Sequence, residues 1–265
     1  MPLSEAEIDV YHEDGLVIPD YRVSDDMLAR MRGAYDRLLA DNPDITSDIM
    51  LGPHLERSGA QGVQGSREWL EFATEPDILG MVSQVAGEDL VLWGTTIFGK
   101  PAGCGKATPW HQDGDYYPIE PLETCTVWMA LDDATPENGC MRYLPGSHKE
   151  RRLFPHHWEE DDGLSINQVI DEEFVDESQA RDIVLKAGQI SIHDVYLAHA
   201  SRPNRSDNRR AGFVLRIMPA TSYYNHGRGQ EIGTQHAHQD YGNRALYLIR
   251  GEDRSGGRND FTTGH

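Results

Sequence analysis

Trp110-His111-Gln112-Asp113 is the stretch of this 265-residue chain whose residue types most clearly invite chemistry. Along an extended strand, residues i and i+2 project from the same face. A His and an Asp at that spacing can therefore both reach one metal ion. Ile190-Ser191-Ile192-His193-Asp194-Val195-Tyr196-Leu197-Ala198-His199 offers a third ligand, from either His193 or His199. Two imidazoles and one carboxylate on one face of an octahedron suit Fe(II) and leave three positions open. The same donors around zinc would suit a hydrolase. Two other His-x-Asp triplets compete. His12-Glu13-Asp14 falls on an expected helix, where i and i+2 point nearly opposite ways. His238-Gln239-Asp240 lies in the tail, near His236, with only the terminal His265 as a further donor beyond it, and reads as a solvated loop.

The elements that must hold these residues are of two kinds. The first third reads as helical. Ser4 and Glu7 form a capping box ahead of Ile8 and Tyr11, and Gly15 stops that helix. Ser24 caps a second, whose Met27, Leu28, Met31, Ala34, Tyr35, Leu38 and Leu39 fall on one stripe before Asn42-Pro43 ends it. A Gly- and Ser-bearing loop spans about 52–66. A third helix starts near Pro76 and carries Ile78, Leu79, Met81, Val82 and Val85, with Gly87 as its C-cap. After Leu90 the texture changes to short β-branched and aromatic runs, 90–98, 124–131, 140–144, 183–192 and 211–217, with a tight turn expected at Lys186-Ala187-Gly188-Gln189. Many short strands with turn signals imply a sandwich or barrel. The expectation is one domain over 1–265: a mainly helical flank at 1–89, a β core at 90–220 and an irregular tail at 221–265.

Composition narrows the function. The charge of −20 argues against nucleic-acid and anionic-membrane partners. No apolar run approaches the roughly 20 residues that span a bilayer, and the N-terminus shows no signal-peptide pattern. Three scattered cysteines, Cys104, Cys125 and Cys140, suggest neither a disulfide framework nor a zinc knuckle. A cytoplasmic protein acting on a small molecule is the simplest reading.

The company of the His-x-Asp pair is more specific. Between its two halves lie Glu137-Asn138-Gly139 and Pro145-Gly146-Ser147-His148, and His199 is followed by Ala200-Ser201, Asn204 and Arg209-Arg210. In this order, over about 100–216, the set resembles the phytanoyl-CoA dioxygenase family of Fe(II)/2-oxoglutarate oxygenases. The segment His12 to Ile18 also looks like that family's N-terminal region. The resemblance implies a double-stranded β-helix, or cupin-like jelly roll, with flanking helices. It implies His111, Asp113 and His199 as iron ligands; only His199 has the Ser201 and Arg210 offsets, which leaves His193 as a supporting or a purely structural histidine. It implies that Arg210 and Ser201 hold the far carboxylate of 2-oxoglutarate and that Trp128 lies beside it, with weaker cosubstrate contacts from Gln112 and Lys100. A planar guanidinium suits a carboxylate through two parallel hydrogen bonds. Arg209 should face the other way on an extended segment. Related halogenases carry a small residue where Asp113 stands, so its carboxylate points to hydroxylation.

The implied reaction consumes O2 and 2-oxoglutarate, hydroxylates an unactivated C–H bond and releases succinate and CO2. The substrate is open at this level. One of Arg202, Arg205, Arg209 and Arg216 could hold a carboxylate or phosphonate. Asp115, Tyr116, Tyr117, Tyr223 and Tyr224 could hold an amine or quaternary ammonium. A zwitterionic small polar metabolite, such as an amino-acid derivative or an aminophosphonate, would use both. An acyl-CoA hydroxylase and a non-catalytic jelly-roll binding protein are the alternatives.

Overall fold

Helix boundaries follow the capping residues. In the computed structural model, which describes residues 2–56, 62–235 and 241–261, α1 (Glu5–Asp14) begins at Ser4. The Ser4 Oγ accepts from Glu7 N, and the Glu7 carboxylate accepts from Ser4 N. Gly15 ends the helix at φ 82°, a left-handed conformation that a glycine adopts without a Cβ clash. α2 (Asp25–Asp41) starts where Ser24 Oγ accepts from Met27 N, and its Leu28, Met31, Ala34, Tyr35 and Leu38 are buried on one face. α4 (Pro76–Ala86) opens on proline and ends at Gly87. Between them, α3 (Glu68–Ala73) has no side-chain cap, which hides it in the sequence, yet it buries Trp69, Phe72 and Ala73. No helix among the described residues is long and apolar enough to cross a membrane.

The strands form two main antiparallel sheets. The larger runs in the order Leu16–Val17, Ile190–Asp194, Cys125–Ala130, Arg210–Pro219, Leu90–Lys100 and Tyr247–Arg250, with Ile49–Leu51 also paired to Leu90–Lys100. The smaller runs Arg181–Asp182, Met141–Tyr143, His199–Ser201 and Thr108–His111. This is the jelly roll with flanking helices. The run expected over 183–192 divides. Gln189 N donates to Lys186 O in the anticipated turn, and only Ile190–Asp194 joins the larger sheet. Thr108–His111 supplies the strand that the His111 and Asp113 spacing assumes, although no β-branched run marks it, and it is the terminal strand of the smaller sheet, a position that tolerates its Pro109.

The 221–265 segment is not irregular throughout. α5 (His226–Gln235) and Tyr247–Arg250 lie within it. In that strand Tyr247 and Ile249 pack on the core while Leu248 is exposed, so the sequence does not show the alternation of an ordinary edge strand. His236, His238, Asp240 and His265 lie outside the described residues.

Every residue of Arg210–Pro219 is buried, but its two faces differ. Ala211, Phe213, Leu215 and Ile217 join Met31, Tyr35, Trp69, Phe72 and Ile78 in the core between sheet and helices. Each Phe, Leu, Ile or Met among them contributes about 1.5–3 kcal/mol of burial before entropy is deducted. Arg210, Val214 and Arg216 face a cavity between the two sheets. Gly212, on the same face, leaves room for Trp128, since a Cβ there would sit 2.1 Å from Trp128 Cζ2.

His54 packs beside this framework, its Nδ1 2.7 Å from Thr95 Oγ1 and its ring edge-on to Tyr247. Burial, reinforced by the positive charge of Arg244, pushes its pKa down from 6.5 to about 3. The unfolded chain therefore takes up this proton near pH 6.5, whereas the folded chain does not until about pH 3. Stability tied to His54 is lost as pH falls across that window, at up to about 1.4 kcal/mol per pH unit. Denaturant unfolding between pH 7 and pH 4 should show a shallower acid slope for His54→Gln than for the parent. Equal slopes would exclude a buried neutral His54.

Candidate metal centre

Register brings the first two donors together. His199 pairs with His111 across two strands of the smaller sheet, and their ring centroids lie 4.1 Å apart. Asp113 is not on the strand. It opens a 3-10 turn, Asp113–Tyr116, immediately beyond it. The argument from strand spacing thus gives the right proximity through a different backbone path. One ligand atom from each of His111, Asp113 and His199 lies within 4.8 Å of the others, and all three residues are buried.

The local chemistry prepares these groups for a cation. His111 Nδ1 is 2.9 Å from Pro109 O, and His199 Nδ1 is 2.9 Å from Leu197 O. With Nδ1–H donating to those carbonyls, each Nε2 keeps its lone pair for a metal. Burial lowers the pKa of His111, and it lowers that of His199 further, with help from His111. Burial opposes ionisation of Asp113, but His193, His199 and Arg216 outweigh it and hold the carboxyl well below its usual range. Neutral imidazoles beside an ionised carboxylate are the protonation states that a divalent cation requires. The donor set fits Fe(II), and all three residues line a cavity between the two sheets.

Thr126 and His193 support Asp113 from behind. Thr126 Oγ1 donates to Asp113 Oδ2 at 3.0 Å, and His193 Nε2 lies 3.6 Å from the same oxygen. Among the described residues, neither ring nitrogen of the buried His193 has a hydrogen-bond partner within 3.5 Å, so its contact with Asp113 is a long one. Thr126 was not among the expected site residues. It precedes Trp128 by two on one strand, so shared facing was the signal that would have found it.

Across the cavity, the buried Arg210 guanidinium donates through Nε and Nη2 to Gly139 O, 3.2 and 2.9 Å away, and lies 5.4 Å from the Trp128 ring. Burial pushes its pKa down to about 10, which still leaves it charged at neutral pH. Ser201 and Trp128 also line the cavity. Arg209 faces away, donating to Asp132 and stacking over Tyr35.

The neighbouring sequence signals turn out to position the site. In Glu137-Asn138-Gly139, Asn138 closes a turn through Thr135 N and Asp133 O and so presents the Gly139 carbonyl to Arg210. Ser147 Oγ accepts from Ala198 N, one residue before His199. His148 contacts the His12 carbonyl. Asn204 Nδ2 donates to the carbonyls of Pro101 and Asn208.

Other expected site residues do not line this cavity. Gln112 is fully buried, with Nε2 donating to Arg152 O and Tyr196 O and Oε1 accepting from Phe154 N. Lys100 Nζ donates to the carbonyls of Lys106 and Arg202, and burial together with Arg210 pushes its pKa down to about 6. Asp115 Oδ1 lies 3.6 Å from His156 Nδ1. Tyr116 packs edge-on to Tyr117, and Tyr117 packs on Trp93. Arg216 does line the cavity, with Tyr117 OH as a partner 2.6 Å away.

The model of the family described as phytanoyl-CoA dioxygenase (PhyH) matches residues 11–212. The chain belongs to the phytanoyl-CoA dioxygenase family. It is an Fe(II)/2-oxoglutarate-dependent dioxygenase, with Fe(II), 2-oxoglutarate and O2 as its cofactor and cosubstrates. The sequence is 27% identical over 233 residues to the peroxisomal phytanoyl-CoA dioxygenase of Bos taurus, across 81% of this chain and 68% of that one. It is 30% identical over 148 residues to a probable alpha-ketoglutarate-dependent hypophosphite dioxygenase of Stutzerimonas stutzeri, across 55% of this chain and 51% of that one. Among solved structures, the apo form of the non-heme monooxygenase ThoJ superposes with a TM-score of 0.70 at 26% identity, covering 94% of this chain and 85% of that one. EvdO2 from Micromonospora carbonacea var. aurantiaca, complexed with 2-oxoglutarate, shares the fold with a TM-score of 0.65 at 24% identity, covering 82% and 91%.

His199→Ala should abolish Fe(II) uptake in anaerobic calorimetry. His193→Ala should still take up one ion, more weakly because Asp113 loses a support. Loss of the ion from His193→Ala with retention in His199→Ala would reverse the ligand assignment.

Proposed function

We propose that this dioxygenase hydroxylates an unactivated C–H bond of a small polar metabolite, such as an amino-acid derivative or a phosphonate, and couples this to the release of succinate and CO2. The observation that carries the reading is one cavity that holds the His111–Asp113–His199 face on one sheet and the Arg210 guanidinium on the other. When bound, iron and 2-oxoglutarate supply the oxidising chemistry.

The protein's part is binding, orientation and exclusion of water. Arg210, fixed by the Gly139 carbonyl, grips the far carboxylate of 2-oxoglutarate, and Ser201 adds a hydroxyl beside it. The Trp128 indole walls that end of the cavity and stacks against Arg210. Asp113 occupies the ligand position that a halide would need, which favours hydroxylation over halogenation. The substrate shares this cavity with 2-oxoglutarate, and a chain of net charge −20 is a poor receptor for the phosphates of an acyl-CoA, which favours a compact metabolite. The hypophosphite dioxygenase relative supports the same leaning toward small substrates. Cys104, Cys125 and Cys140 of this chain are free, which fits a reducing compartment such as the cytoplasm.

Under anaerobic conditions, adding Fe(II) and then 2-oxoglutarate should produce a weak visible charge-transfer band, and Asp113→Ala should lack it. Arg210→Ala should weaken the apparent affinity for 2-oxoglutarate by about 30-fold, the equivalent of about 2 kcal/mol for a lost charge-assisted contact. Unchanged affinity in Arg210→Ala would refute the cosubstrate assignment.

A further inference from the structure

The strand Arg210–Pro219 turns two guanidiniums toward the same cavity, six residues and about 20 Å of strand apart. Arg210 is 2% exposed and Arg216 8%. Among the described residues, no carboxylate oxygen lies within 4.0 Å of either guanidinium. The described partners of Arg216 are uncharged: Nε donates to Tyr117 OH and Nη1 to Thr96 Oγ1, with the Trp93 ring 6.0 Å away. Two of its five N–H groups are thereby used to fix the fork, and among the described residues no acceptor takes the others.

A charge count shows which ligand. The ferrous ion brings two positive charges and Asp113 one negative. 2-Oxoglutarate brings two negative charges, and Arg210 one positive. That set sums to zero with Asp113, the carboxylate that Arg216 helps to keep ionised, already counted, so the Arg216 charge is left in excess inside the loaded site. A buried cation of this kind calls for an anion. A quaternary ammonium is the wrong partner here. It would meet a like charge, and the nearby rings of Tyr116 and Tyr117 are engaged with each other and with Trp93.

Resting on the proposed hydroxylase reading, we propose that Arg216 binds an anionic group of the primary substrate, a carboxylate or phosphonate. Tyr117 and Thr96 set the orientation of the fork, and the anion fixes which carbon of the substrate faces the metal. Arg216 is thus a specificity-determining residue, and the substrate class is a small organic anion or a zwitterion bound by its anionic end.

The test uses the enzyme loaded anaerobically with Fe(II) and 2-oxoglutarate. Methylphosphonate is the anionic probe and tetramethylammonium the cationic one. Binding is read from the shift of the charge-transfer band and from paramagnetic broadening of the 31P resonance. Methylphosphonate should bind saturably to the parent enzyme, tenfold or more weakly to Arg216→Gln, and at intermediate strength to Arg216→Lys. Tetramethylammonium should not compete. No methylphosphonate binding to the parent, equal binding to Arg216→Gln, or competition by tetramethylammonium would each overturn the assignment. Failure of the hydroxylase reading is seen separately, because the parent would then give no band with 2-oxoglutarate before any probe is added. If Arg216→Gln does not fold, the Arg216→Lys titration and the two-probe comparison on the parent decide the matter.

Discussion

The antiparallel register that sets His199 opposite His111 is the constraint on which the rest of the site depends. It places two imidazoles from residues 88 positions apart side by side in the fold. Their Nδ1 atoms are each tied to a carbonyl two residues back, His111 to Pro109 and His199 to Leu197. Both rings are therefore oriented by their own local backbone, and only the pairing of the strands has to be correct. The turn at Asp113 then adds a charge where two neutral donors already meet. His199–Ser201 is also paired on its other side with Met141–Tyr143, so the ligand strand is held along both edges.

The larger sheet works by contrast between its faces. Its outward residues along Arg210–Pro219 are apolar and sealed under helices, while the inward ones are two arginines, a glycine and a valine. Burying a guanidinium is costly unless its donors are satisfied. Here Gly139 O serves Arg210, and Tyr117 with Thr96 serves Arg216. The apolar core on the outer face gives the strand the rigidity to hold both groups. Gly212 lets the Trp128 ring approach the backbone between them.

Much of this was legible in the sequence, for identifiable reasons. Capping residues marked α1, α2 and α4 because Ser4, Ser24 and Pro76 act within one helical turn of themselves. The candidate metal-binding triad was legible because His-x-Asp and the distal His come with a long ordered set of companions, and the structure brings the three together. The roles of those companions were less visible. Gln112 and Lys100 look like ligand contacts by position, yet both are spent on backbone carbonyls of loops that are distant in sequence. α3 lacks a cap, and Tyr247–Arg250 exposes an apolar residue, so local pattern alone did not reveal either. Tertiary packing stabilises both, and that is not encoded in spacing.

The two inward guanidiniums sit inside a chain whose overall charge is −20. A dicarboxylate approaching from solution thus meets repulsion first and attraction only once it is within the mouth of the cavity. Exposed charges are screened beyond about 8–10 Å at moderate ionic strength, whereas buried ones are screened far less. Added salt consequently lowers the outer barrier more than it weakens the inner grip. For such a molecule, capture of anions quickens as ionic strength rises, the opposite of the behaviour of enzymes that draw anions in with a basic surface.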